Sequence, residues 1–122
     1  MPYKILIVED DKFVRELIVQ KLTEEKFEVS SAKDGEEGVA KVESEKPDLV
    51  LLDLILPGID GFEVISRIRK NPDIESMPIV ILSNLGEKND VDRGIKLGAN
   101  DYMIKAHFTP KEIVEKVRGI LK

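Results

Sequence analysis

Four short runs of apolar residues mark the chain, at Lys4–Val8, Leu49–Asp53, Ile79–Ser83 and Tyr102–Ile104. Each is rich in Ile, Val or Leu and does not alternate with polar positions, which suits strands covered on both faces. A fifth run, Glu28–Ala32, alternates more and reads as an edge strand. The segments between them carry helical spacing instead. Val14, Leu17, Ile18 and Leu22 fall on one stripe, Val39 and Val42 on a shorter one, and Phe62, Ile65 and Ile68 on a third. Val91 and Ile95 suggest a fourth inward face, and Ile113, Val114, Val117, Ile120 and Leu121 a fifth. Asp60 stands where it can cap the third helix, and Asn71-Pro72 ends it. Gly98 closes the fourth helix, while Thr109, Pro110 and Glu112 form a capping box ahead of the last. A fivefold strand–helix alternation predicts an α/β fold, a parallel sheet held between two helical layers.

Composition narrows the class. A chain of 122 residues, 42% of them hydrophobic, has the size of one domain and enough apolar surface for a core without staples. The expectation is one domain over residues 1–122. No cysteine is present, which removes disulfide frameworks and zinc–thiolate sites, and His107 is the single histidine. A net charge of −5 disfavours direct nucleic-acid binding and anionic membranes. The opening Met-Pro-Tyr-Lys leads straight into an apolar run too short for a signal peptide or a membrane span. A soluble, cytoplasmic domain is expected.

In parallel α/β sheets, ligands bind in the crevice beyond the carboxyl ends of the strands. Here those ends carry unusual chemistry. The first strand runs into Glu9-Asp10-Asp11, the third ends at Asp53, the fourth ends in Ser83, and the fifth is followed at once by Lys105. Clustered carboxylates repel one another unless a cation neutralises them. Magnesium is suited to the task, since it takes one or two carboxylates, keeps several waters and leaves a position for a phosphate oxygen. Lys105 adds a movable positive charge, and the Ser83 hydroxyl can donate to a phosphate oxygen. Asp53, on the central strand, is the best nucleophile, equipped by its neighbours to become an acyl phosphate. The following Pro57-Gly58-Ile59-Asp60-Gly61 turns tightly without crowding it.

Taken in order, these pieces resemble the receiver domains of two-component response regulators, of the single-domain, chemotaxis-regulator-like kind. The resemblance rests on Glu9-Asp10-Asp11, the run from Asp48 through Asp53 to Pro57-Gly58 and Gly61, Ser83, and Gly98-Ala99-Asn100-Asp101-Tyr102 leading to Lys105. It covers essentially the whole chain and implies a flavodoxin-like (βα)5 fold, a three-layer αβα sandwich with sheet order 2-1-3-4-5. By the same resemblance Asp53 is the phosphoacceptor and Asp10 a direct ligand of Mg2+, with Mn2+ a possible substitute. Glu9 acts mainly through water, the main-chain carbonyl of Ile55 completes the protein ligands, and Asp11 need not touch the metal. Ser83 and Lys105 bind the phosphoryl oxygens, and Tyr102 is a switch aromatic that moves inward as Ser83 shifts. The implied donor is a phosphohistidine on a sensor histidine kinase or histidine phosphotransfer protein. The signal leaves through helix 4, strand 5 and helix 5, with Lys96, Tyr102 and Lys111 facing a downstream effector that the sequence does not identify.

Two positions depart from the receiver pattern. Ala106 follows the lysine where receivers normally carry proline, often after a cis peptide. A cis bond costs about 2.5–4 kcal/mol without proline, so a trans Lys105–Ala106 bond and a reshaped loop are expected. Asn84 stands where a very small residue is preferred, and its amide is expected to narrow the mouth of the site and slow small phosphodonors. Ile55 and Leu85 flank the path of an attacking water and cannot orient it, which predicts a long-lived phosphorylated form. Plainer readings apply elsewhere: His107 is a solvent-facing loop residue, Arg67, Arg69 and Lys70 form a solvated helix face, and Tyr102 doubles as core filling. Among rival functions, a haloacid-dehalogenase-like phosphatase wants a second acid where Ile55 stands. A partner-binding pseudo-receiver would lack Asp53, Asp10 or Lys105. A nucleotide-binding flavodoxin would carry a phosphate-binding loop in place of Glu9-Asp10-Asp11.

Overall fold

The apolar runs pair with one another as a parallel sheet because neither of their faces can be left in water. In the computed structural model, which describes residues 2–121, the strands are β1 (Lys4–Val8), β2 (Glu28–Ala32), β3 (Leu49–Leu52), β4 (Ile79–Ser83) and β5 (Asp101–Ile104). They lie in the order β2-β1-β3-β4-β5, and every pairing is parallel. Alternate residues of each strand feed two separate cores. Ile5, Ile7, Leu49, Leu51, Val80, Leu82 and Met103 face α1 (Lys12–Glu24) and α5 (Pro110–Leu121), which contribute Ile18, Leu22, Ile113, Val114 and Val117. Leu6, Val8, Val50, Leu52, Ile79 and Ile81 face the other layer. That layer comprises α2 (Gly35–Glu45), α3 (Gly61–Lys70) and α4 (Lys88–Leu97). The expected flavodoxin-like three-layer fold and its sheet order are therefore the observed ones.

Helix starts follow the capping chemistry written in the sequence. Asp11, Asp34 and Asp60 accept hydrogen bonds from the main-chain N–H groups of Val14, Glu37 and Glu63. Thr109 and Glu112 exchange bonds in the expected box. A cap of this kind is worth about 1 kcal/mol. By contrast α4 begins at Glu87 with no side-chain cap, and it ends at Gly98 with φ 117°, a conformation that needs glycine.

Five details differ from the sequence reading. The β3 ladder stops at Leu52, although the Asp53 N–H still donates to the Val8 carbonyl at 3.0 Å. Asp101 joins β5 ahead of Tyr102. Leu17 and Ile95 are exposed rather than inward. Gly94, not a large apolar residue, seats α4 on the sheet: a Cβ there would lie 2.5 Å from Ile81 Cδ1. Finally, Arg69 is not part of a solvated face. Its guanidinium donates to the carbonyls of Gly98, Glu75 and Met77 and to Asn100 Oδ1, tying the end of α3 to the turns that lead into β4 and β5. Burial accordingly lowers its pKa from the ordinary arginine value.

Candidate functional site

Strands β1 and β3 are neighbours in register, Val8 opposite Leu52, so the residues just past them are brought side by side. Glu9 and Asp53 are 2% and 6% exposed. Asp10 lies beside them at the surface, and one carboxylate oxygen from each of the three falls within 4.8 Å of the others. Lys105 enters from the far side, its Nζ bonded to Glu9 Oε1 and to Asp53 Oδ2, the latter at 2.9 Å. Main-chain donors hold the acids as well: Asp11 N–H to Glu9 Oε2 at 3.1 Å and Ile55 N–H to Asp53 Oδ1 at 3.2 Å. The start of α3 closes tightly over the nucleophile candidate, because a Cβ at Gly61 would sit 2.4 Å from the Asp53 carbonyl oxygen.

Three carboxylates against one ammonium leave the site short of positive charge. Burial raises the Glu9 pKa, the bond from Lys105 counters it, and the neighbouring Asp53 charge adds to the rise. Burial works against the Lys105 ammonium, but Glu9 and Asp53 outweigh it, so its pKa stands above the ordinary lysine value. The Lys105 shift, in which the two acids overcome burial, reflects the negative charge gathered in this pocket. The donor set fits a hard divalent ion, since oxygens of an octahedral Mg2+ shell at about 2.1 Å are about 3–4.2 Å apart. Small side-chain rotations of Asp10 and Asp53 would bring two of these oxygens to that spacing.

The other predicted residues take identifiable places. Ser83 is fully buried at the end of β4. Its Oγ accepts from Leu85 N–H at 3.3 Å, and no hydrogen bond joins it to the acids. Tyr102 lies half-buried against α4, its hydroxyl donating to the Leu85 carbonyl, and burial first, then Asp90 and Asp53, raise its pKa. Ile55 stands exposed beside Asp53, which leaves no acid at that position. His107 is exposed on the loop, as expected. Asp11 serves as the α1 cap. The Lys105–Ala106 peptide is trans, no cis bond occurring among the described residues, and residues Lys105–His107 form a short 3-10 turn.

Sequence reading missed one participant and the partner of another. Arg15 Nη1 donates to the carbonyls of Glu9 at 2.9 Å and Asp10 at 3.3 Å, pinning the backbone of the acidic pair. Its signal was available, since a base one helical turn beyond Asp11 can reach back over the helix start. Asn84 does not simply project into the mouth of the site: its Oδ1 accepts from Ala106 N–H at 3.1 Å. Nothing local in sequence connects those two residues.

The comparisons agree with this geometry. The chain is 40% identical, over its full length, to the alkaline phosphatase synthesis transcriptional regulatory protein PhoP of Bacillus subtilis, covering 50% of that protein. It is 37% identical over 98% of its length to the phosphate regulon transcriptional regulatory protein PhoB of Rhizobium meliloti, covering 52% of that protein. The chain thus spans about half the length of the curated relatives it matches. Among solved structures, the BeF3-activated N-terminal receiver domain of Klebsiella pneumoniae RstA superposes with a TM-score of 0.89 at 34% identity, with 98% of each chain covered. A CheY-like receiver domain protein from Methanospirillum hungatei superposes with a TM-score of 0.91 at 29% identity, covering 99% of this chain and 94% of the other. Residues 5–118 match the family described as the response regulator receiver domain. With its sheet order, its acidic strand ends and these relatives in agreement, the chain belongs to the receiver domains of two-component response regulators.

Proposed function

We propose that this domain is a phosphorylation switch in which Asp53 accepts a phosphoryl group, with Mg2+, from a phosphohistidine on a sensor kinase or histidine phosphotransfer protein. The observation that carries the reading is a buried Asp53 carboxylate 2.9 Å from the Lys105 ammonium, with Glu9 and Asp10 completing an acidic cluster. An Asp53 oxygen attacks phosphorus in line, the O–P bond forming as the P–N bond breaks, and the imidazole leaves with the electron pair. Lys105 turns from its carboxylate partners to a phosphoryl oxygen, and the Ser83 hydroxyl donates to another. Asp10 and Asp53 would hold the metal directly, Glu9 mainly through water, and the Ile55 carbonyl would complete the set. When bound, Mg2+ (or Mn2+) neutralises the acids and the charge on the transferred group.

Exposed apolar residues support a protein donor rather than a free metabolite. Phe13 and Leu17 on α1 and Ile55 beside Asp53 are all accessible, Phe13 at 77%. They offer a docking surface close to the mouth of the site.

New bonds from the phosphoryl group to Ser83 and Lys105 are charge-assisted, about 1.5–3 kcal/mol each. Reversing a population almost completely takes about 5.5 kcal/mol, so two such bonds plus metal contacts approach a full switch. Ser83 moving inward releases the Leu85 carbonyl from Tyr102, and the change reaches a downstream effector through α4, β5 and α5. Output through a protein or domain rather than through nucleic acid fits the net charge of −5. A cytoplasmic location fits a phosphohistidine donor, and among the described residues no helix is long and apolar enough to cross a membrane. Apolar Ile55 and Leu85 near the acyl phosphate leave hydrolysis slow. The domain is no dedicated enzyme, assisting only its own phosphorylation and dephosphorylation.

Titration with beryllofluoride and Mg2+, followed by NMR, tests the reading. Wild type should show saturable shifts at the ends of β1, β3, β4 and β5, and Asp53→Asn should show none. Identical responses from both proteins would refute it.

A further inference from the structure

The strands β4 and β5 are paired so that Ser83 lies opposite Ile104. The chain therefore leaves the sheet at Asn84 and Lys105 side by side. The turn that carries Lys105 is weakly held by its own chemistry. None of Lys105, Ala106 and His107 is buried, the turn has no side-chain cap, and its closing bond from Phe108 N–H to the Lys105 carbonyl is long at 3.4 Å. Against that background, Asn84 Oδ1 takes the Ala106 N–H at 3.1 Å. The donor exists because residue 106 is not proline, which has no N–H. The two positions at which this chain departs from the receiver pattern are thus the two ends of one hydrogen bond.

We infer that Asn84 is a positioning residue for phosphoryl recognition, a strap that joins the loop following Ser83 to the turn carrying Lys105 and keeps hydroxyl and ammonium in register. Ala106 directly follows Lys105, so fixing its amide fixes the root of the lysine side chain. Asn84 directly follows Ser83, so the same bond carries any movement of the hydroxyl loop to the lysine turn. A tetrahedral phosphoryl group must meet both donors at once, and the strap sets their spacing before it arrives. The carboxylates follow β1 and β3, whose pairing places their backbone without it. The inference rests on the reading of Asp53 as phosphoacceptor.

The test uses the full chain, with two measurements on wild type, Asn84→Ala and Asn84→Asp. First, the water-exchange rate of the Ala106 amide is measured by NMR. It should rise about three- to tenfold in Asn84→Ala, the range set by the net worth of one hydrogen bond. Asn84→Asp keeps the acceptor oxygen and should stay near the wild-type rate. An Ala106 amide that exchanges equally fast in wild type and Asn84→Ala overturns the strap. Second, affinities for Mg2+ alone and for beryllofluoride in saturating Mg2+ are compared. Asn84→Ala should bind Mg2+ as wild type does but lose about three- to tenfold in beryllofluoride affinity. Loss of both affinities together marks a general disturbance and overturns the positioning role. So does an unchanged beryllofluoride affinity while wild type binds in an Asp53-dependent way. If wild type itself shows no Asp53-dependent binding, the phosphoacceptor reading falls and the positioning role with it, whatever the amide rate shows.

Discussion

Replacing Asp10 by Asn should make the domain more stable than wild type in chelator and less stable in magnesium. The neutral side chain keeps nearly the same shape and removes one of three carboxylates whose oxygens lie within 4.8 Å of one another. Asp10 faces two acids, with the Lys105 ammonium held between them and the Arg15 guanidinium on the Glu9 and Asp10 carbonyls, so at most one repulsive pair is left uncancelled. At 4.8 Å such a pair costs about 1–2 kcal/mol for an effective dielectric of about 40–80, as suits an exposed group. For a domain of this size 1 kcal/mol moves the melting temperature by about 3–5 °C, so Asp10→Asn should melt about 3–10 °C above wild type in EDTA. Magnesium reverses the order. At a hundred times its dissociation constant the ion adds about 2.7 kcal/mol to the protein that binds it, and the variant has lost a ligand. Far-UV circular dichroism melts across a MgCl2 series, at low and fixed ionic strength, read both effects. A variant less stable than wild type in EDTA, or one that gains as much from magnesium, would refute the account of the site as an acid cluster awaiting a cation.

Other perturbations probe separate parts of the structure. Lys105→Met leaves buried Glu9 and Asp53 without their ammonium and should cost about 3 kcal/mol in metal-free urea unfolding, in line with broken buried pairs. Because its pKa is raised, the lysine's contribution is complete below its ordinary value of 10.5 and is lost as pH climbs past the raised one. Wild type should therefore lose stability more steeply in strong alkali than Lys105→Met. Arg69→Ala should cost about 2–3 kcal/mol by leaving several turn carbonyls without a donor, and Arg69→Lys should not recover it, since one ammonium cannot span the planar array. Phe13→Ala should slow phosphotransfer from a phosphohistidine protein about tenfold while the rate with acetyl phosphate holds, as expected for an exposed docking anchor. Radiolabel loss from the phosphorylated domain should proceed over minutes or longer, and decay within seconds would show that the attacking water is oriented despite apolar Ile55 and Leu85.

The parts that were legible in the sequence are those governed by short-range rules. Strands such as Leu49–Leu52 announce themselves because both faces are buried, and Asp60 or Thr109 because a cap needs only its own next turn. The acids at the strand ends were legible because parallel topology delivers consecutive strand tips to one edge. What failed depended on distant chain. Leu17 and Ile95 have the hydropathy of core residues, yet whether a helix turns them inward is set by its seat on the sheet. For α4 that seat is Gly94, which carries no hydropathic signal. Arg69 read as solvated because the carbonyls that enclose it come from turns up to 29 residues away. Asn84 and Ala106, 22 residues apart, were each noticed as odd, and only the pairing of β4 with β5 shows that one answers the other.

The manner in which α4 is seated bears on how little energy the switch needs. Helix α3 plants Phe62, Val64, Ile65 and Ile68 in the core, and lifting it would expose side chains worth about 1.5–3 kcal/mol each. A single phosphoryl group cannot supply that. Helix α4 buries a glycine alone and starts without a capped end. Beyond that glycine only partly buried side chains such as Leu97 hold it, so it can slide or tilt at far smaller cost than α3.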